Sequence, residues 1–219
     1  MTVFPFLYRW VNTVFEDVYR GYASVITIIK LNGNQVKYGK GLISRGIPKI
    51  DVERNGKMMI GINFRMNNGN RYNKIGRQRP CLFVVSQNAV LTIGNNTGMS
   101  GTTIVCRQKV TIGDHVKIGG NTVIYDTDFH SLDSALRRDW FTDSKNTSNA
   151  EVIIGNDAFI GAHSTILKGV TIGEGAIIGA ASLVAKSIPA YEIWAGNPAR
   201  FLKKVNDVQV ENKTLVYNK

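Results

Sequence analysis

The stretch YDTDFHSLD, residues 125–133, sets an imidazole, His130, behind two carboxylates, Asp126 and Asp128. An imidazole titrates near neutrality, so it can take the proton of a weakly nucleophilic hydroxyl as that oxygen attacks a carbonyl. Either carboxylate could orient the ring and fix its tautomer, and both could equally be corner residues making Asx turns. A polar, aperiodic excursion follows, SLDSALRRDWFTDSKNTSNAE at 131–151. Loops of that length in a compact repeat protein usually serve function or are disordered. Trp140 within it, and Ser100 in GMSG, are candidates on the substrate side. The Ser100 hydroxyl, or backbone N–H groups, would be donors to a tetrahedral oxyanion.

What positions these residues is a repeat. Ile154, Ile160, Ile166, Ile172, Ile178 and Val184 stand six apart, and the register recurs upstream at Ile112, Ile118 and Ile124. Small or aliphatic residues fill the position four later at Ala158, Ser164, Val170, Ala176 and Ser182. A period of six cannot be an α-helix, whose buried face returns every 3.6 residues, but it suits a short strand followed by a corner. Three such strands make one triangular coil. The expected architecture is an all-β parallel β-helix prism with aliphatic ladders inside. Counting six from Ile124 lands on His130, which places the imidazole in an inward rung at the mouth of the excursion.

The repeat resembles the hexapeptide-repeat acyltransferases, whose β-helix is left-handed. The segment DTDFHSLD, the repeats and the ending AGNPAR are similar to the branch that O-acetylates maltose, galactosides and glycans. The resemblance implies acetyl-CoA as acyl donor, a homotrimer, and His130 as the general base toward an acceptor hydroxyl, with no acyl-enzyme. It further implies that Ala162, Ala180, Ala185 and Lys186 border the pantetheine arm, with Arg200 and Lys203 beyond the last coil. Lys186, Arg200 and Lys203 can meet phosphates. Where sugar-acetylating relatives carry an Asn and an Asp for the acceptor, this chain has Met99 and Arg107, so neither role transfers. Arg107, Arg137 and Arg138, with Arg71, Arg77 and Arg79, would suit an acidic or phosphorylated glycan. A sugar or surface-polysaccharide precursor is the expected acceptor; an amino sugar, serine or a xenobiotic is the alternative.

The expected organisation is an N-terminal helical element at 1–46, the prism at 47–204 with its loop at 131–151, and a tail at 205–219. In the first segment Phe4, Leu7, Val11, Val14, Val18 and Val25 recur as one face of an amphipathic helix. That face is expected to pack on the prism and cap its open end; docking on a membrane surface is the alternative. Arg9, Glu16, Asp17 and Arg20 make the segment a poor membrane span.

The 219 residues carry a net charge of +11, which points to anionic ligands or surfaces. The basic residues are not interleaved with a stacking series of aromatics, which argues against nucleic acid. Two cysteines outside any CxxC pattern indicate neither a disulfide framework nor a zinc site, and with no evident signal peptide a cytoplasmic setting fits. One branch of the same fold is a zinc carbonic anhydrase using three histidines. This chain has three, His115, His130 and His163, but their spacing of 15 and 33 does not suit that site, and no metal is expected.

Overall fold

In the computed structural model, which describes residues 3–73, 75 and 79–206, each six-residue unit is a strand and a corner. The chain winds through three sheets in turn. The first holds Lys37–Tyr38, Lys57–Ile60, Val90–Ile93, Lys109–Ile112, Val152–Ile154 and Thr171–Ile172. The second runs from Ile43–Arg45 through Arg65–Asn67, Gly98–Ser100, Lys117–Ile118 and Phe159–Ile160 to Ile177–Ile178. It ends in a hairpin of Glu192–Ala195 with the antiparallel Arg200–Lys204. The third holds Lys49–Val52, Leu82–Val85, Thr103–Cys106, Val123–Tyr125, Thr165–Ile166 and Leu183–Val184. The architecture is a left-handed parallel β-helix.

Parallel register stacks like on like. Ile60, Ile93, Ile112, Ile154 and Ile172 form one ladder, and Phe83, Ile104, Ile124, Ile166 and Val184 another. The third runs Met66, Met99, Ile118, Ile160, Ile178 and ends under Trp194, which covers the open end. Each such buried aliphatic contributes about 1.5–3 kcal/mol of transfer free energy. Corners approach closely: a Cβ on Gly161 would lie 2.4 Å from the Ala180 nitrogen, so only glycine fits there.

One boundary differs from the sequence expectation. The first coil begins at Lys37, not near residue 47. Its inward residues, Tyr38, Ser44 and Ile50, do stand six apart, but a phenol and a hydroxyl hide the aliphatic pattern. The buried Ser44 hydroxyl is satisfied by donating to the Gly46 carbonyl at 2.7 Å and accepting from Asn68 Nδ2 at 3.1 Å. At the other end the strand Arg200–Lys204 is followed by residues 205–206, and the rest of the expected tail lies outside the described residues.

The N-terminal helix, α1 (Val3–Gly33), does cap the prism, with Leu31 entering the core cluster. The face it uses is not the expected one. Ala23, Thr27 and Leu31 are buried, whereas Phe4, Leu7, Val11, Val14, Val18 and Val25 are all exposed. Small residues at 23 and 27 allow close approach, and the Thr27 hydroxyl is absorbed by the Ala23 carbonyl at 2.7 Å. Midway along, Glu16 accepts from Arg71 and Tyr72 of a short helix, α2 (Gly69–Tyr72), and the Arg71 guanidinium lies over Phe15 and Tyr19.

Candidate active site

The excursion leaves the prism at the corner between the third and first sheets. Because Ile112 pairs directly with Ile154, the first-sheet ladder closes without a rung for residue 130. His130 therefore does not occupy an inward slot: its side chain is 68% exposed, outside the prism. Six-residue counting fails here because the coil stops at Asp126 and resumes at Val152. The excursion is laced shut at its base, where Thr127 bridges Asn149 and the Asp126 carbonyl accepts from Ala150 N at 2.9 Å.

Inside the excursion a 3-10 turn at Leu136–Arg138 leads to α3 (Trp140–Lys145). Asp139 caps α3 by accepting from Thr142 N at 2.9 Å, which sets Asp143 in its first turn. Asp143 is buried and uses both carboxylate oxygens. Oδ1 accepts from Ser131 N at 2.6 Å, and Oδ2 lies 2.7 Å from His130 Nδ1. The His130 hydrogen bond, then that from Ser131, hold the Asp143 carboxyl below its ordinary pKa. An ionised carboxylate can only accept, so Nδ1 carries a proton, and in the neutral ring the lone pair is on Nε2. Arg137 braces the same turn by donating to the Ser131 carbonyl at 2.7 Å. Trp140, one turn before Asp143 on α3, is 81% exposed.

Neither expected carboxylate orients the ring. Asp126 is fully buried and accepts three backbone N–H bonds, from Arg107 at 2.7 Å and from Gln108 and Lys109 at 2.8 Å. It ties down the neighbouring coil. Asp128 pairs with Lys168 at 3.4 Å and fastens the excursion to the next coil. The orienting residue is Asp143, thirteen residues beyond the imidazole, which no periodicity marked; the N-cap signal of Asp139 ahead of an apolar pair was the one available hint. Ser100 is also elsewhere. It ends a second-sheet strand, its hydroxyl accepts from Asn67 Nδ2 at 3.0 Å, and no hydrogen bond links it to His130.

The residues expected along the donor fall in three places. Ala185, Lys186 and Arg200 line one cavity of about 380 Å³ with Ile188, Trp194 and Pro198. Ala162 and Ala180 stack one coil apart at the corner between second and third sheets, where the Ala162 carbonyl accepts from Ala181 N at 2.8 Å. Lys203 pairs with Ile193 in the terminal hairpin. Met99 is buried in the ladder of the second sheet, and the Arg107 guanidinium lies 5.7 Å from the Phe129 ring centroid. Arg77 lies outside the described residues. His115 and His163 occupy left-handed corners at φ of 60° and 63°, well apart from each other along the chain.

Residues 151–186 match the family model for the bacterial transferase hexapeptide, described as six repeats. A solved galactoside acetyltransferase in complex with coenzyme A is 32% identical, with 68% of each chain covered and a TM-score of 0.52. An N-acyltransferase from Bacillus cereus, AntD, in complex with dTDP and coenzyme A, is 25% identical over 83% of this chain and 91% of its own, at TM-score 0.59. A maltose O-acetyltransferase from Clostridium difficile 630 shares the fold at 24% identity and TM-score 0.51, over 87% and 88% of the two chains. No curated protein matches the chain in sequence.

Proposed function

This chain belongs to the hexapeptide-repeat acyltransferase family, and we propose that it is an acetyl-CoA-dependent O-acetyltransferase acting on a hydroxyl of a sugar or surface-polysaccharide precursor. The observation that carries the reading is the exposed His130 ring, held by Asp143 through Nδ1 at 2.7 Å with Nε2 left open. Nε2 takes the acceptor proton as the oxygen bonds to the thioester carbonyl carbon. The tetrahedral oxyanion collapses, the C–S bond breaks, and the CoA thiolate takes the proton back from the imidazolium. The products are an acetyl ester and free CoA, with no acyl-enzyme. Backbone N–H groups or the Ser100 hydroxyl, which accepts from Asn67 and keeps its own proton to donate, meet the oxyanion. The exposed Trp140 offers a sugar ring an apolar platform.

Donor binding follows from the cavity at the end of the prism. Lys186 and Arg200 supply cations for the phosphates, and the small Ala185 admits the pantetheine arm. Ala162 and Ala180 lie across the third sheet from that cavity. A groove using both groups is completed by a second copy of the chain, which supports a homotrimer. The outward row of the third sheet is suited to that contact, being lined by half-buried Leu82, Val123 and Leu183, with Val84, Val105 and Tyr125 beside them. A cytoplasmic setting supplies acetyl-CoA.

An amine acceptor is the second reading, favoured by the likeness to the Bacillus cereus N-acyltransferase. The test for both is an acceptor screen that follows CoA thiol release, with sugars, glycan precursors and their amino counterparts in parallel arms. Release stimulated by hydroxyl acceptors alone supports O-acetylation; release stimulated only by amines replaces it with N-acetylation.

A further inference from the structure

The exposed face of α1 is built for a lipid surface. On a helix of 3.6 residues per turn, Leu7, Val11, Val18 and Val25 lie within about 40° of one another, and the buried Ala23, Thr27 and Leu31 lie roughly opposite. The stripe thus points away from the prism that carries it. From Phe4 to Val25 it holds no charged residue; Arg9, Glu16 and Arg20 fall on the prism side and Asp17 lies on the flank, about 100° from the stripe.

We propose that α1 lies flat on an anionic phospholipid membrane with this stripe inserted at the headgroup boundary, making the enzyme a peripheral membrane protein. Three observations choose lipid over a second copy of the helix. First, aromatic rings flank the stripe: Trp10 on one side, Tyr8 and Phe15 on the other, each at least 55% exposed. That makes the apolar surface wider than the seam of a coiled coil, and the one charge on its margin, Asp17, is already paired with Arg20 of the same helix. Indole and phenol rings belong at a membrane–water boundary. Second, the turns before Phe15 are exposed all round and rest on nothing, and a helix of about twelve residues alone in water is marginal. Insertion of its apolar face would stabilise it. Third, the chain's net charge of +11 complements anionic headgroups, and the second-sheet strand packed beside α1 carries the exposed Arg45. Among the described residues no helix is long and apolar enough to cross a membrane.

The test is co-sedimentation of the full chain with vesicles of phosphatidylglycerol and phosphatidylethanolamine, against vesicles of phosphatidylcholine alone. The parent is expected to pellet with the anionic vesicles, and less so as salt rises. The double variant Val11→Asp/Val18→Asp is expected to lower partitioning at least about tenfold, since each buried valine alone is worth that factor. Its melting temperature, oligomeric mass and turnover with soluble acceptor should stay at the parent's values. The milder Trp10→Ser should weaken binding in the same direction. A parent that stays in the supernatant with both vesicle types at low salt overturns the proposal, as does a double variant that pellets like the parent. A double variant whose oligomeric mass falls while vesicle binding is unchanged also overturns it and makes the stripe a contact between copies. None of these outcomes depends on which acceptor the enzyme acetylates.

Discussion

Asp143 holds His130 and the peptide N–H of Ser131 at once, so one carboxylate fixes both the imidazole and the turn of chain that carries it. Replacing it with alanine frees the ring to rotate and lets either tautomer form. The expected outcome is a fall in kcat of about 10- to 100-fold, smaller than the loss on removing the base itself, with the KM for acetyl-CoA unchanged. Asp143→Asn should also lose activity, because the amide can donate to Nδ1 and place the proton on Nε2. Steady-state kinetics of the two variants checks this; a parent-like kcat in both would remove Asp143 from the account.

Asp126 should behave differently. Its three backbone N–H bonds lie in a buried corner, and Asp126→Ala leaves those donors without a partner. A loss of about 3 kcal/mol, or a fall in Tm of roughly 6–12 °C, is expected, while turnover per folded molecule stays near the parent's. Thermal unfolding paired with active-site kinetics separates a structural carboxylate from a positioning one.

Acid sensitivity of the excursion follows from the sign of the Asp143 shift. Its carboxyl is depressed in the folded protein, chiefly by His130 and then by Ser131 N–H. The hold is therefore complete above the ordinary carboxylate pKa of about 3.9 and is lost as pH falls through the lower folded value. Protection of the Ser131 amide against hydrogen exchange, relative to its intrinsic rate at each pH, should hold down to about pH 4 and fall only below it. In Asp143→Asn that acid step should vanish.

Burial pushes the thiols of Cys81 and Cys106 up to about 12. Both should stay protonated and unreactive toward Ellman's reagent at pH 8 until the protein is unfolded in denaturant. Reaction of either thiol in the native protein would contradict the packing of the ladders around them. The same inertness keeps protein thiols from contributing to the CoA release assay.

The prism was legible because its physics is periodic: every sixth aliphatic from Ile154 to Val184 is an inward rung. Legibility failed wherever the period did. Tyr38 and Ser44 occupy rungs without looking like it, so the first coil was assigned to the helical element. His130 looked like a rung only because counting was carried across a break, and Asp143 was invisible because a contact spanning thirteen residues inside an aperiodic loop depends on how that loop closes. The apolar stripe of α1 was plain in the sequence, but amphipathicity alone does not say which face meets the prism. Ala23 and Thr27, too small to stand out, take that role.

The claim at the centre is that the open nitrogen of His130 removes the acceptor proton. The direct measurement is kcat for acceptor-dependent CoA release in His130→Ala beside the parent, with the dissociation constant for CoA measured on both. A fall of about 10²- to 10⁴-fold in kcat at unchanged CoA affinity is expected for the loss of a general base. A variant that turns over as fast as the parent would contradict it.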